Sequence, residues 1–370
     1  MRNTHPLKFT LTLCAIAGCV QPLSWTSSKK QRIYAVHRLL LISVIFTLMT
    51  SQLINIILNI DKSNEYSDTM YMTLAVLIGN YKLISMWITA KNIRSVIDIF
   101  AEKLFRSLES YETIIQQKYT KLTKKYAMWY YMLVQITVVG IIVNAYFTNF
   151  TKRNLTYRAW LPFDYTSPGI FFLVFTHQML GVSIVAAANV ACDLLVSGLM
   201  QQICCQLEIL EYRLTKFSKG QYILRDCVRH HDRIYEYAHK VNIRFAHLIA
   251  FQFAVSMLVV CANLYKLATT SLNSSLFIIV LYTACMLSQI FLYCWFGNEL
   301  KLKSLELASN IYKLEWQKLN NNSKKDLVLI MRRTSTPIEF NSAIIITLNL
   351  ESFMSLLKTS YSIYNVLKYT

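Results

Sequence analysis

The last thirty residues of the sequence, 341–370, carry its most unusual chemistry. Glu351 and Lys358 stand inside a stretch that is otherwise apolar enough to cross a bilayer. Ionisable groups at membrane depth are costly and usually face a bundle interior or a water-filled path. Both belong to a polar stripe along one helical face, whose other members are Thr347, Ser355, Thr359 and Ser362. The stripe predicts a helix that lines a conduction pathway.

An apolar and aromatic stripe lies beside the polar one and consists of Leu350, Phe353, Leu357, Tyr361 and Tyr364. Periodicity alone does not decide which stripe faces the pore at its narrowest point. For the small hydroxyls the alternative is close helix packing with hydrogen bonds between helices. That alternative suits Ser355 and Ser362, but it does not account for the two charged residues.

A second candidate site is an apolar cavity for a small hydrophobic ligand, which proteins hold with mostly apolar walls and one or two polar groups. The outer halves of the second, third, fourth and sixth apolar runs carry aromatic, methionine and lone polar residues. The candidates are Tyr71, Leu74, Ile78, Thr137, Ile141, Asn144, Phe172, Phe175, Gln178, Met179, Phe277 and Tyr282. For any one of them, ordinary packing within a helical bundle is the favoured alternative.

The elements that position these residues follow from the composition. Of 370 residues 54% are apolar and 16% charged, and the mean hydropathy is +0.35. Seven runs reach the ~20 mostly apolar residues that a spanning helix needs, and none contains a proline. The runs are 39–60, 70–90, 126–147, 171–200, 245–268, 276–297 and 342–367. The sequence therefore predicts an all-α membrane protein with seven transmembrane helices.

The orientation follows from the basic residues. Most of the 38 Lys and Arg lie in segment 1–38 and in the long loops after the second, fourth and sixth runs. Cytoplasmic loops are enriched in these residues, so we expect a cytoplasmic N-terminus and an extracellular C-terminus. Candidate glycosylation sites at Asn149, Asn154 and Asn273 fall in the loops predicted to be outside. A fourth sequon, at Asn321, falls inside and should be unused.

Four regions result. We predict a cytoplasmic N-terminal segment at 1–38, within which the apolar stretch 9–20 is too short to span. A six-helix transmembrane bundle with an outer ligand pocket occupies 39–297. A cytoplasmic anchor helix and loop occupy 298–341. The pore-lining seventh span and a short external tail complete the chain at 342–370. The long inner segments are either solvated helix extensions or a packed intracellular platform.

Two further charged residues lie inside predicted spans. Lys82 is near the inner side of the second span, where a lysine can extend its amine to the interface. Asp193, deep in the fourth span, can pair with a basic group on a neighbouring helix. We expect structural roles for both.

Several classes of protein are disfavoured. There is no Gly-rich phosphate loop, no His-Glu-x-x-His and no nucleophile elbow, so we expect neither an enzyme nor a cofactor. The spacing of Cys204, Cys205, Cys227, His230 and His231 fits no structural zinc site, so no metal is expected. The net charge of +18 is explained by topology rather than by nucleic acid. The predicted orientation and proline-free spans disfavour a G-protein-coupled receptor, and the absence of an internal repeat disfavours a secondary transporter.

The chain resembles the insect odorant receptors. The closing stretch resembles that family's C-terminal signature, with Phe340-Asn341, Thr347 to Phe353, Leu357 to Ser362 and Leu367. Further resemblances are Tyr293 to Leu300 at the end of the sixth span, Ile311-Tyr312 and Trp316 after it, and Trp160 to Asp164 with Ser167-Pro168 in the second outer loop.

The resemblance implies an odorant-binding tuning subunit that assembles with the odorant co-receptor into a tetrameric, ligand-gated, non-selective cation channel. The implied partners are a volatile odorant, the co-receptor, membrane lipid and permeant cations. The implied location is the plasma membrane of a sensory neuron dendrite. Beside Glu351, Ser355, Lys358 and Ser362, the pore candidates then include Tyr364 and Lys368, where the family's outer gate would fall. The chain departs there from the small apolar residues of the co-receptor, and it lacks the co-receptor's long insertion in the second cytoplasmic loop.

Two alternatives stay open. A gustatory receptor of the same superfamily has a similar topology but a Thr-Tyr…Gln-Phe ending, and Ser360-Tyr361-Ser362 without a following Gln-Phe favours the odorant branch. A metabotropic seven-helix receptor is the alternative of a different class.

Overall fold

The computed structural model describes residues 7–22, 24–58, 67–217, 224–269, 274–313, 319–342 and 346–369. Within these ranges the chain is mostly helical, which confirms the predicted all-α class. The helices are α1 (Lys8–Ile16), α2 (Ser28–Leu58), α3 (Ser67–Ile88), α4 (Ala90–Asp98), α5 (Ser110–Thr148), α6 (Pro168–Phe217), α7 (Leu224–Thr269), α8 (Ser274–Tyr312), α9 (Asn321–Thr334) and α10 (Leu350–Tyr369). Two short strands, β1 (Asn341–Ser342) and β2 (Ile346–Thr347), pair antiparallel.

The first six apolar runs each coincide with a helix of the structure. Within the described ranges five helices are long and apolar enough to cross a membrane, and a sixth span results if a bent pair is counted as one. That pair is Met72–Ile88 with Ala90–Asp98, which meet at 68°. The orientation of the termini stays a prediction from the distribution of basic residues.

The seventh run differs from its predicted bounds. The expected helix from residue 342 begins only at Leu350, because β1 and β2 occupy the first part of the run. Ile346 and Thr347 are β-branched, which favours extended structure. The Asn349 side chain then starts α10 by accepting a hydrogen bond from the backbone N–H of Ser352 at 2.8 Å. With 20 residues α10 is about 30 Å long, enough to span, but it is too polar to count among the apolar helices above.

Helix α6 is the centre of the bundle and packs against α1, α2, α3, α5, α7 and α8. The short helix α1 lies inside this bundle, with Leu7 and Cys14 buried. The Cys14 thiol donates to the backbone carbonyl of Ala191 on α6 at 3.2 Å. The stretch predicted to be too short to span is thus part of the core.

The polar extensions of α5, α6, α7 and α8 meet at one end of the bundle, which we call the basic end; the opposite end, near Asn149 and Asn154, is the sequon end. At the basic end the buried Arg213 pairs with Glu112 at 2.7 Å. Arg213 also donates to His230 Nδ1 at 3.2 Å, so His230 Nε2–H donates to Gln206 Oε1 at 3.0 Å. Burial, and then the neighbouring arginine, lower the pKa of His230 to about 3. The extensions are therefore packed together rather than solvated.

The start of α10 lies against α8 at a glycine. A Cβ at Gly297 would collide with the backbone carbonyl oxygen of Leu348 and lie 2.6 Å from the Leu348 Cβ. Leu348 is itself 3% exposed, and its N–H donates to the carbonyl of Phe340 at 2.9 Å. The segment leading into α10 therefore has no room to move away from a side chain added at position 297.

Replacing Gly297 with Ala should destabilise this contact by about 1–3 kcal/mol, the usual effect of overpacking. The control is Gly140→Ala on α5, where a Cβ would meet no atom within 4 Å. Thermal unfolding of the detergent-solubilised protein, followed by fluorescence-detected size exclusion, measures both. Equal midpoints for the two variants would contradict the close contact.

Candidate functional site: an apolar cavity and a polar helix face

An apolar cavity of about 70 Å³ lies between α3, α5, α6 and α8. Its walls include Met72, Val182 and Met286, which are each at most 7% exposed. Methionine side chains are flexible, so such walls can adjust to the shape of a small apolar molecule.

The floor of the cavity is polar, and its polar groups converge on one carboxylate. Tyr130 and Gln289 line the cavity, and both donate to Asp193 Oδ2, the Tyr130 hydroxyl at 3.3 Å. The other oxygen, Oδ1, receives the Lys82 amine at 2.5 Å and the Tyr293 hydroxyl at 2.6 Å. We call these five residues the Asp193 hub. Through these hydrogen bonds the Asp193 side chain connects α6 to α3, α5 and α8.

The expectation that Asp193 pairs with a basic group on another helix is confirmed, and its partner is Lys82. The expectation that Lys82 reaches the interface is wrong, because its side chain is 0% exposed. The ion pair holds the amine inside the bundle, where four donors to one carboxylate compensate the loss of hydration.

The structure distributes the predicted ligand residues over several environments. Thr137, Ile141 and Tyr282 line the cavity. A neighbouring apolar cluster contains Leu74, Ile78, Phe175 and Met179. Gln178 instead bonds the backbone of Tyr157, donating to its carbonyl at 2.7 Å. Asn144 is half-buried on α5, and Phe172 and Phe277 are 55% and 64% exposed on the outer surface. The side chain of Tyr71 lies outside the described part of the chain.

The cavity also contains polar residues that sequence reasoning missed, namely Tyr130, Asn189 and Gln289. A signal for them exists in the sequence. Asn189 precedes Asp193 by one helical turn, and Gln289 precedes Tyr293 by one turn, so each pair marks a polar face within an apolar run. Apolar periodicity does not reveal such faces, because the surrounding residues are apolar on all sides.

A larger groove of about 590 Å³ lies between α2, α6 and the loop at 159–163. Its rim includes Leu173 and Phe163, which are 68% and 50% exposed, so the groove opens to the surface. The cavity between α3, α5, α6 and α8 is the better candidate for a small ligand, since its walls at Met72, Val182 and Met286 are buried.

Helix α10 packs against α7 and α8 with its apolar side. Leu356 and Ser360 are buried there, and the Cys261 thiol of α7 donates to the Ser360 carbonyl at 3.6 Å. The polar stripe points away from the chain's own bundle. Its exposed members are Glu351, Ser355, Lys358, Thr359 and Ser362. Tyr364 is half-buried, and the side chain of Lys368 lies outside the described residues.

The predicted glycosylation residues lie at the sequon end. Asn154 is exposed in the loop after α5, and Asn149 is half-buried at the end of that helix. Asn273 falls outside the described residues. Within the described ranges, no group of three or more His, Cys, Asp or Glu side chains is placed to hold a metal ion.

Comparison with known proteins gives one consistent family. The family model described as "7tm Odorant receptor" matches residues 62–361. Odorant receptor 46a, isoform A, from Drosophila melanogaster is 31% identical over 218 residues, which are 55% of this chain and 56% of that protein. Odorant receptor Or2 from Anopheles gambiae is 28% identical over 56% of this chain and 61% of its own length. The chain thus aligns with less than two thirds of each of these two relatives.

Solved structures with the same fold include the olfactory receptor OR5 from the insect Machilis hrabei. It superposes with a TM-score of 0.87 at 19% identity, and the alignment covers 98% of this chain and 97% of that one. The same receptor in complex with eugenol gives a TM-score of 0.85 at 20% identity, with the same coverage. At this identity the likeness concerns the fold.

Breaking the Asp193 hub at one partner should be strongly destabilising. Lys82→Met leaves a buried carboxylate without its counter-ion, which typically costs about 3–5 kcal/mol. The double variant Lys82→Met/Asp193→Asn should recover part of that loss, because no net charge then remains buried. Lys125→Met, at an exposed lysine on α5, is the control. Thermal unfolding of the wild type, the single variants Lys82→Met and Asp193→Asn, the double variant and the control measures the coupling, and strict additivity of the two single effects would contradict the hub.

Proposed function

Because this chain belongs to the 7tm odorant receptor family, we propose that it is the odorant-binding tuning subunit of a heteromeric, ligand-gated, non-selective cation channel. The observation that carries the proposal is the polar face of α10 that the chain's own bundle leaves uncovered. A charged residue at the centre of a lipid-facing helix is unfavourable by about 2.5–3.5 kcal/mol on insertion scales. Such a face therefore requires water or other subunits around it, as it would have around a central pore.

The family is one of receptors rather than enzymes, and the apolar helices make this chain a multi-pass membrane protein. We place it in the plasma membrane of a sensory neuron dendrite. The basic end would be cytoplasmic and the sequon end external, since the basic residues concentrate at the former. The packed extensions at the basic end would then form the intracellular platform between subunits, in agreement with their buried ion pair Arg213–Glu112.

The ligand would bind in the cavity between α3, α5, α6 and α8. This position supports the proposal because the cavity is apolar, buried and furnished with a few polar groups at its floor. The Machilis hrabei receptor of the same fold was solved with eugenol, a small organic molecule. A volatile odorant of modest size is thus the expected ligand here.

The co-receptor would supply the remaining subunits of a tetramer, with α10 of each subunit around the central axis. Permeant cations would pass along Glu351, Ser355, Lys358 and Ser362, and the outer gate would lie near Tyr364 and Lys368. The side of α10 with Leu356 and Ser360 is covered, and the polar stripe is exposed together with Tyr361. The exposure of its charged residues supports the polar stripe as the pore-facing one. Membrane lipid would surround the outer helices.

Co-expression with the odorant co-receptor tests the proposal. An odorant panel should evoke a cation current in excised membrane patches without added nucleotide or G protein. Cells that express the co-receptor alone, exposed to the same panel, are the control. A strict requirement for G protein would favour the metabotropic alternative, and responses limited to sugars or bitter compounds would favour a gustatory receptor.

Charge changes on α10 test the pore. Glu351→Gln removes a negative charge from the cation path and should lower the unitary conductance about twofold or more, whereas Lys358→Gln should raise it, because fixed charges set the local cation concentration. Lys121→Gln, at an exposed position on the extension of α5, should change neither conductance nor selectivity. Unchanged conductance and reversal potential in both α10 variants would show that this helix does not line the pore.

A further inference from the structure

We infer that the cavity floor recognises a hydroxyl group, so that the ligands of this receptor are small apolar alcohols or phenols rather than carbonyl compounds. The inference rests on the proposed function and deepens it, because it names the chemical class that the cavity accepts. It rests on the hydrogen bonds of the cavity floor, which determine the polar groups that stay available to a ligand.

The orientation of the Gln289 amide is set by the hub. A carboxylate paired with lysine can only accept hydrogen bonds, so the edge of the Gln289 amide that contacts Asp193 Oδ2 must be Nε2–H. The other edge, the Oε1 acceptor, is left for the cavity that Gln289 lines. The hub therefore turns a side chain that could either donate or accept into a fixed acceptor.

The hydroxyl protons of Tyr130 and Thr137 are likewise used in hydrogen bonds within the protein. Tyr130 donates its proton to Asp193 at 3.3 Å, and Thr137 donates its proton to the Leu133 carbonyl at 2.9 Å. Each can therefore offer only its oxygen to a ligand. A ligand that brings no proton of its own would meet these acceptors without satisfying any of them.

A second acceptor stands at Asn189, one turn before Asp193 on α6. Its Oδ1 is buried with no hydrogen-bond partner in the described part of the chain, and the residue lines the cavity. Only a proton brought by a ligand can satisfy this oxygen. A hydroxyl can donate to Gln289 Oε1 or to Asn189 Oδ1, whereas a ketone, ester or ether can only accept.

Charged ligands are disfavoured by the same arrangement. A carboxylate would face the Gln289 and Tyr130 oxygens, and an ammonium would enter an almost wholly apolar cavity beside the buried amine of Lys82. The volume limits size as well. At roughly 10–15 Å³ for each water-sized group, the cavity of about 70 Å³ holds on the order of five to seven such groups before Met72 or Met286 must move.

The test uses matched pairs on the full chain co-expressed with the co-receptor. Alcohols such as cyclohexanol and pentan-2-ol are compared with cyclohexanone and pentan-2-one, and the panel extends to ten carbons and to phenol. In the wild type the alcohol of each pair should be about tenfold more potent than the ketone, since one buried hydrogen bond separates them. Equal potency, or more potent ketones, would overturn the inference.

Two variants separate recognition from a structural role. Gln289→Met keeps the side-chain volume and removes the acceptor, so the ratio of alcohol to ketone potency should fall towards one. Asn189→Leu removes the second acceptor, which only an alcohol can satisfy, so the ratio should fall here as well. Gln252→Met is the control, because that buried glutamine bonds Ser256 on its own helix and does not line the cavity.

Surface labelling accompanies every measurement. Equal loss of alcohol and ketone responses in Gln289→Met at normal surface level would show a structural role and overturn the inference. If Gln289→Met does not reach the surface, Asn189→Leu decides, and an unchanged or higher ratio overturns the inference. A wild-type complex that reaches the surface but answers no odorant would overturn the proposed function, and the inference with it.

Discussion

The bundle depends on one buried carboxylate. Asp193 is 1% exposed and accepts hydrogen bonds from a lysine, two tyrosines and a glutamine that come from three other helices. The effective penalty for burying an ion is several kcal/mol, and it is offset only when the geometry is good and the remaining lone pairs are satisfied. Both oxygens of Asp193 meet that condition. A polar group that can be satisfied in one arrangement fixes the relative positions of α3, α5, α6 and α8 more narrowly than apolar packing does.

Helix α8 connects the hub with both candidate sites. Gln289 contributes to the cavity floor, Tyr293 bonds Asp193, and Gly297 receives the segment that leads into α10. These residues are four apart, so they lie along one side of the helix within about 12 Å. The cavity floor and the segment that leads into α10 therefore contact the same helix. Between the cavity and α10 lie the hydrogen bonds of the Asp193 hub, whose partners are fixed by charge.

The basic end and the region around the cavity are held together by different interactions. At the basic end, long helical extensions bury Arg213, Glu112 and His230 in a hydrogen-bonded group, and His230 stays neutral because burial and Arg213 oppose its protonation. Around the cavity the contacts are mostly apolar and two methionines stand in the wall. The hydrogen-bonded group at the basic end suits a fixed platform. The apolar wall with its methionines suits a site that must adapt to a small ligand. α10 adds a third surface, polar and uncovered by its own chain.

The sequence by itself determined the helical membrane class, six of the apolar helices and the polar stripe of the last helix, because each depends on local composition or on periodicity. The family followed from the resemblance of its motifs. Tertiary structure decided the rest. It alone paired Lys82 with Asp193, brought Tyr130, Asn189 and Gln289 to one cavity, and moved Phe172 and Phe277 to the surface. It also began α10 at Leu350 instead of residue 342 and turned its polar stripe away from α7 and α8. In a helix that is apolar on every side, periodicity no longer indicates the face that turns inwards, and only the neighbouring helices can select it.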